Sequence, residues 1–233
     1  VHQQLLQILV EMGDVAVPPL TGALEAPSST LRSHAATALG YLKAKSALPL
    51  LTYPAVGDDV PSGERAIAMV SIARILEVSP AKARDLVSAG PVNQLVADAS
   101  AYLSGKKQVD LDETGNVDTW GWDEATSSIV KLEVTPEQSN DRIGLRLGRQ
   151  AFLLSPERID VQTLYLVGLL VEHSANSQAT GNLAKGPLSP TDIGLTVGPA
   201  LLSRALGLSL DLHRGEAAVS ALRLLEKTAS HTD

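Results

Sequence analysis

The 233-residue chain has no cysteine, one phenylalanine and 3% aromatic residues, yet 44% of it is hydrophobic, so its apolar surface comes from Ala, Leu, Val and Ile. That composition excludes a disulfide framework, Cys-based zinc sites and thiol catalysis, and it disfavours both disorder and β-sandwiches or barrels. The net charge of −7 comes with no basic stripe for nucleic acid, and the longest apolar run, Leu164 to Val171, is far short of the roughly 20 residues of a membrane-spanning helix.

The chain opens Val1-His2-Gln3-Gln4-Leu5-Leu6, which reads as the interior of a helix and leads us to expect a piece of a longer protein. An apolar face then recurs. Leu9 and Met12 fall on Leu39 and Leu42 at an offset of 30, and Pro19-Leu20 falls on Pro49-Leu50 at the same offset. Ile72 and Ile75 continue the register from Leu39 and Leu42 at an offset of 33. A period near thirty residues suits two helices and two turns. Breaks fall where this requires them: Gly13-Asp14, Ala26-Pro27-Ser28-Ser29, Gly57-Asp58-Asp59, Ser79-Pro80 and Gly90-Pro91. Two short helices are expected at 80–88 and 91–103.

These segments resemble HEAT repeats. The first helix carries Val17-Pro18-Pro19-Leu20-Thr21-Gly22-Ala23-Leu24, and the second begins Leu31-Arg32 and continues Ala35-Ala36-Thr37-Ala38-Leu39-Gly40. Glu25 stands where that family often has Asp, and the turn from Gly57 to Ser62 is longer than usual. The pattern returns near the C-terminus. Pro199-Ala200-Leu201-Leu202 echoes the first helix, and Ala217 to Leu225 echoes the second, with Leu222 on Leu39 and Leu225 on Leu42. The resemblance covers roughly residues 1–104 and 194–229. It implies stacked helix pairs and a protein-binding role.

The middle of the chain differs. Gln108 to Asp118 is acidic and turn-rich; Thr119 to Trp122 and Ile129 to Val134 read as two strands joined by a loop at Asp123 to Ser128. Thr135-Pro136-Glu137-Gln138 opens a helix with Ile143, Leu147, Ala151 and Leu154 on one stripe, and after Ser155-Pro156 a second helix runs through Val161, Leu164, Tyr165, Val167 and Leu170. This pair resembles part of a tetratricopeptide repeat at Ala151-Phe152-Leu153-Leu154-Ser155-Pro156, although Gly148 replaces a bulky residue of that family. Ser174 to Lys185 is small and polar and is expected to be a loop.

Few residues suggest chemistry. Asp110, Asp112 and Gly115 have the opening spacing of a calcium loop, but the twelfth position, where a bidentate Glu belongs, is Gly121. The histidines His2, His34, His173, His213 and His231 form no metal-binding pair; His213 is expected in the turn before the last helix and His173 at a helix end. Ser104-Gly105-Lys106-Lys107 and Lys227-Thr228 match fragments of penicillin-binding motifs outside their structural context. Trp120 and Trp122, the only tryptophans, lie two apart and share a face if on a strand; they either anchor the hairpin or form a contact patch. They are the candidate partner-binding residues.

The expected fold is all-α: an α-solenoid of antiparallel helix pairs, HEAT-like and in part tetratricopeptide-like, with one small β-hairpin insertion. Its expected segments are HEAT-like repeats at 1–106, an acidic loop and hairpin at 107–138, a tetratricopeptide-like pair at 139–174, a flexible loop at 175–193 and a HEAT-like pair at 194–233. The expected function is a non-catalytic protein–protein interaction scaffold, with no catalytic residues, metal, cofactor, small-molecule ligand, nucleic acid or membrane insertion. The alternative is a regulatory or targeting arm of an enzyme whose catalytic domain lies elsewhere. A pigment-binding HEAT enzyme is disfavoured by the scarcity of aromatic residues.

Overall fold

The computed structural model describes the backbone of residues 2–111, 115, 117–180 and 190–229, and the side chains of 6–111, 115, 117–174 and 198–228. Among the described residues are eleven α-helices, two short 3-10 turns and one two-stranded antiparallel sheet, so the chain belongs to the all-α class with a hairpin added. It divides into two compact units, Val1–Gln94 with Asp110–Thr135, and Leu95–Val109 with Pro136–Asp233.

The first unit contains α1 (His2–Glu11), α2 (Val17–Ala23), α3 (Ser29–Tyr41), α4 (Leu48–Val56), α5 (Ser62–Leu76), α6 (Pro80–Ser88) and the start of α7 (Pro91–Leu103). Local chemistry sets their ends. The Ser28 hydroxyl accepts from the Leu31 N–H at 3.4 Å, and the Ser79 hydroxyl accepts from the Lys82 N–H at 3.2 Å, each satisfying an amide that the first helical turn leaves open. At their C-terminal ends α3 and α5 stop in the same way. Lys43 and Glu77 both take a left-handed conformation (φ 52° and 56°). The following amides turn back, Ala44 to the Leu39 carbonyl and Val78 to the Ala73 carbonyl.

The recurring register becomes a packing pattern. Helix α3 lies against α1, α2 and α5; α5 also carries α4 and α6. Leu39 and Ile72, equivalent in sequence, are both fully buried, and Leu20 and Leu50 in the helices before them are buried too. One pair of positions at the offset of 33 also touches: the Arg74 guanidinium lies 4.1 Å from the centre of the Tyr41 ring. Lys43, whose equivalent is Leu76, pairs instead with Glu77, the next residue along. Arg32 and Arg65, each early in its helix, donate to carbonyls of the turn before it: Ala26 and Pro27 at 2.9 and 2.8 Å, and Gly57 at 3.2 Å. Arg32 also grips the buried Glu64 carboxylate with two hydrogen bonds of 2.7 Å, tying the start of α3 to the start of α5.

The second unit is built from the rest of α7 with α8 (Pro136–Leu154), α9 (Ile159–Thr180), α10 (Pro190–Asp211) and α11 (Gly215–Ala229). Helix α9 packs on α8, α10 and α11, and its Val161, Leu164, Val167 and Leu170 are buried there with Leu147, Leu202 and Ala205. The single phenylalanine, Phe152, stacks on Tyr165 with ring centres 5.3 Å apart, joining α8 to α9. Two expectations fail here. Helix α9 continues to Thr180 and α10 starts at Pro190, so the loop expected over 175–193 is helical at both margins; residues 181–189 lie outside the described residues. His173 accordingly sits within α9 and closes no helix end. Ser174, just before this run, donates its hydroxyl to the Leu170 carbonyl at 2.8 Å, which meets its polar group within the helix. Helix α10 is broken at Gly198 (φ 77°), and its second part begins at Pro199 as the sequence suggests. His213 ends it in a left-handed conformation in the turn before α11.

Gly40 sets how closely α3 approaches α5. A Cβ there would lie 2.9 Å from the Ser71 Cα and Cβ. Gly40→Val is therefore expected to cost about 1–3 kcal/mol in urea unfolding. Gly63→Ala, which opens onto free space in α5, is expected to leave stability unchanged or raise it.

Candidate functional site

The one non-helical element rises from the first unit. Strands β1 (Thr119–Asp123) and β2 (Ser128–Leu132) pair antiparallel, Trp120 opposite Lys131 and Trp122 opposite Ile129. The strands fall within a residue or two of their expected bounds. Asp123 closes the turn, accepting from the Ala125 N–H at 3.1 Å and the Thr126 hydroxyl at 2.6 Å, and the Thr126 bond holds its carboxyl below the ordinary value. Both strands pack on α2. The contact depends on Gly22, where a Cβ would lie 2.8 Å from the Trp120 carbonyl carbon and 2.9 Å from its oxygen.

Trp120 and Trp122 both lie on β1, share a strand face by alternation, and are half-buried. The Trp120 indole N–H donates to Asp118 at 3.0 Å, and the Lys131 ammonium meets the same carboxylate at 2.9 Å. One carboxylate thus fixes a tryptophan and its cross-strand lysine. The Trp122 indole N–H has no such partner among the described residues. The role of Asp118 was not foreseen in the sequence; an acid two residues before the tryptophan is its only local signal.

The segment is strongly acidic. Residues 108–135 hold seven Asp and Glu against one Lys, a net −6 of the chain's −7. Glu124 and Glu133 are exposed. Of the supposed calcium loop, Asp110 is exposed and Gly115 has φ 79°, while Asp112, Glu113 and Thr114 lie outside the described residues. Among the described residues no cluster of His, Asp and Glu could hold a metal ion, and no helix is long and apolar enough to cross a membrane. Ser104 to Lys107 follow the end of α7, where Lys107 pairs with Asp98 at 3.3 Å.

A second polar centre, invisible in the sequence, lies in the second unit. Arg214, just before α11, reaches the Leu103 carbonyl, Asp141 and, at 2.6 Å, Glu137. It ties the end of α7, the start of α8 and the α10–α11 turn. Burial pushes the Asp141 carboxyl up to about 6; Arg214 pulls the other way and Glu137 adds to the rise. Desolvation is the largest of these effects and outweighs the attraction of Arg214.

No family model, curated protein or solved structure matches this chain.

Two outcomes follow from this geometry. Both tryptophans sit in the hairpin, so intrinsic fluorescence reports its docking. Gly22→Ala is expected to shift emission to the red while the helical circular dichroism stays near the parent value; unchanged emission would show that the contact at Gly22 tolerates a methyl group. The native state binds the Asp141 proton more tightly than the unfolded chain, so stability from this group falls as pH rises from about 4 to about 6 and levels off above. Asp141→Asn is expected to flatten that slope in urea midpoints measured between pH 4 and pH 7.

Proposed function

We propose that this chain is a non-catalytic protein–protein interaction scaffold, its helix pairs stacked as a HEAT-like α-solenoid that presents the acidic hairpin to a partner. The observation that carries the reading is the packing of α3 on α5. Leu39 and Ile72, 33 residues apart, are both buried, and Tyr41 and Arg74, at the same offset, touch across the two helices. Such a repeat offers an outer surface rather than an enclosed pocket, and surfaces of this kind bind other proteins. The hairpin is the point where that surface is interrupted. It holds Trp122 half-buried within an acidic segment, and Trp is a frequent anchor of protein interfaces.

The test is affinity capture with the 233-residue chain, comparing the parent with Trp122→Ala and with Trp120→Ala. Trp122→Ala is expected to deplete the captured proteins while thermal unfolding stays close to the parent. Trp120→Ala is expected to lower stability as well, because its indole is bonded within the hairpin. Identical captured sets from parent and Trp122→Ala, with the fold intact, would exclude the hairpin as the contact surface.

A further inference from the structure

We infer that the outer edge of β2 takes up an extended, basic segment of a partner protein as a third strand, with Glu124 and Glu133 meeting cations at its two ends. This rests on the reading of the hairpin as the contact the chain presents, and it specifies the chemistry of the partner.

The sheet has two strands among the described residues, so each strand has one edge that no other strand pairs with. Helix α2 meets the hairpin chiefly through β1, with Gly22 against the Trp120 backbone, which leaves β2 as the outer strand. Burial agrees: Gly121 in β1 is buried, whereas Lys131 in β2 is exposed. Natural sheets blunt an open edge with proline, a bulge or an outlying lysine charge. Strand β2 is Ser128-Ile129-Val130-Lys131-Leu132, with no proline, and its register against β1 runs without a bulge. Its one lysine is engaged by Asp118 at 2.9 Å. The edge therefore keeps a β-forming sequence and carries none of the usual guards.

Charge selects the occupant. With a net −6 over residues 108–135, a second copy of the same edge, an acidic peptide or a nucleic acid would bring like charge against it. A basic segment would not. The acids also stand where an added strand would end. Glu124 lies in the turn before β2 and Glu133 directly follows its last residue, and both are exposed. Asp123, beside Glu124, is already committed to the Ala125 N–H and the Thr126 hydroxyl. Five strand residues rise roughly 14 Å from first to last, so a segment of about six residues brings one cation toward each glutamate. Main-chain hydrogen bonds along the edge supply the binding, and the two terminal cations supply the selectivity.

The probe is a fluorescein-labelled hexapeptide with lysine at both ends and alternating valine and threonine between them. Its anisotropy is read against the 233-residue chain. Binding is expected with a Kd below about 1 mM, weakening as salt is added. The double variant Glu124→Gln, Glu133→Gln is expected to bind about fivefold more weakly, with the parent circular dichroism. The same peptide N-methylated at its four inner residues keeps its charge and loses the donors that a strand needs, and it is expected not to bind. Equal binding of the N-methylated peptide would leave attraction between opposite charges alone and overturn the strand addition. Equal binding of a glutamate-ended peptide, or no binding of the lysine-ended one up to about 1 mM, overturns the inference as well. Capture that depends on Trp122 while the peptide fails to bind removes this inference and leaves the scaffold reading in place. Peptide binding with capture unchanged by Trp122→Ala removes the anchor role of Trp122 and leaves the β2 edge in place.

Discussion

The approach of α3 to α5 at Gly40 and Ser71 is the constraint on which the first unit depends. A missing Cβ on one helix and a small side chain on the other bring the backbones close enough for Leu39 and Ile72 to be buried between their neighbours. Ala35, Ala36, Ala38, Ala68 and Ala73 extend the same logic along both helices. Aromatic rings at these positions would hold the helices apart, because close-packed interiors respond to added volume with backbone shifts. The low aromatic content is therefore a consequence of the spacing. The buried Ser71 hydroxyl has no hydrogen-bond partner among the described residues, the kind of cost a helix interface accepts when only a small residue fits.

The hairpin is placed by a second close approach of the same kind. A two-stranded sheet is marginal in water by itself and needs an apolar surface beneath it. Helix α2 supplies that surface, and Gly22 lets the Trp120 backbone settle onto it. Asp118 adds a polar lock by engaging both Trp120 and Lys131. Trp120 thus belongs mostly to the hairpin's own stability, while Trp122 keeps its indole N–H uncommitted among the described residues.

Features decided by local chemistry were legible in the sequence. Ser28, Ser79 and Pro136 mark helix starts that the structure places where capping and proline geometry require. The helices at 80–88 and 91–103 and the two strands also stand close to their expected bounds. Features decided by distant partners were not legible. Arg214 looks like an ordinary turn residue, because the groups it joins, Leu103, Glu137 and Asp141, come from helices far away in sequence. The end of α9 was not legible either, because a small polar run such as 175–180 has the composition of a loop, and the backbone of α9 continues through it to Thr180.

Charge is distributed as unevenly as ring size. With a net −6 between residues 108 and 135, the other residues sum to −7 minus −6, or −1. Near-neutral helices suit packing in which equivalent positions face each other, since a repeated charge of one sign would meet its own copy across every interface. Where α3 meets α5 the facing groups differ in sign or type: Lys43 meets Glu77, and Tyr41 meets Arg74. The excess negative charge falls on the one segment that does not repeat, where Lys131 is already neutralised by Asp118. A field from that segment extends about a Debye length, roughly 8 Å in physiological salt. It therefore acts on whatever approaches the hairpin and leaves more distant helix contacts unaffected. The excess charge thus sits on the hairpin segment, and the rest of the chain stays close to neutral.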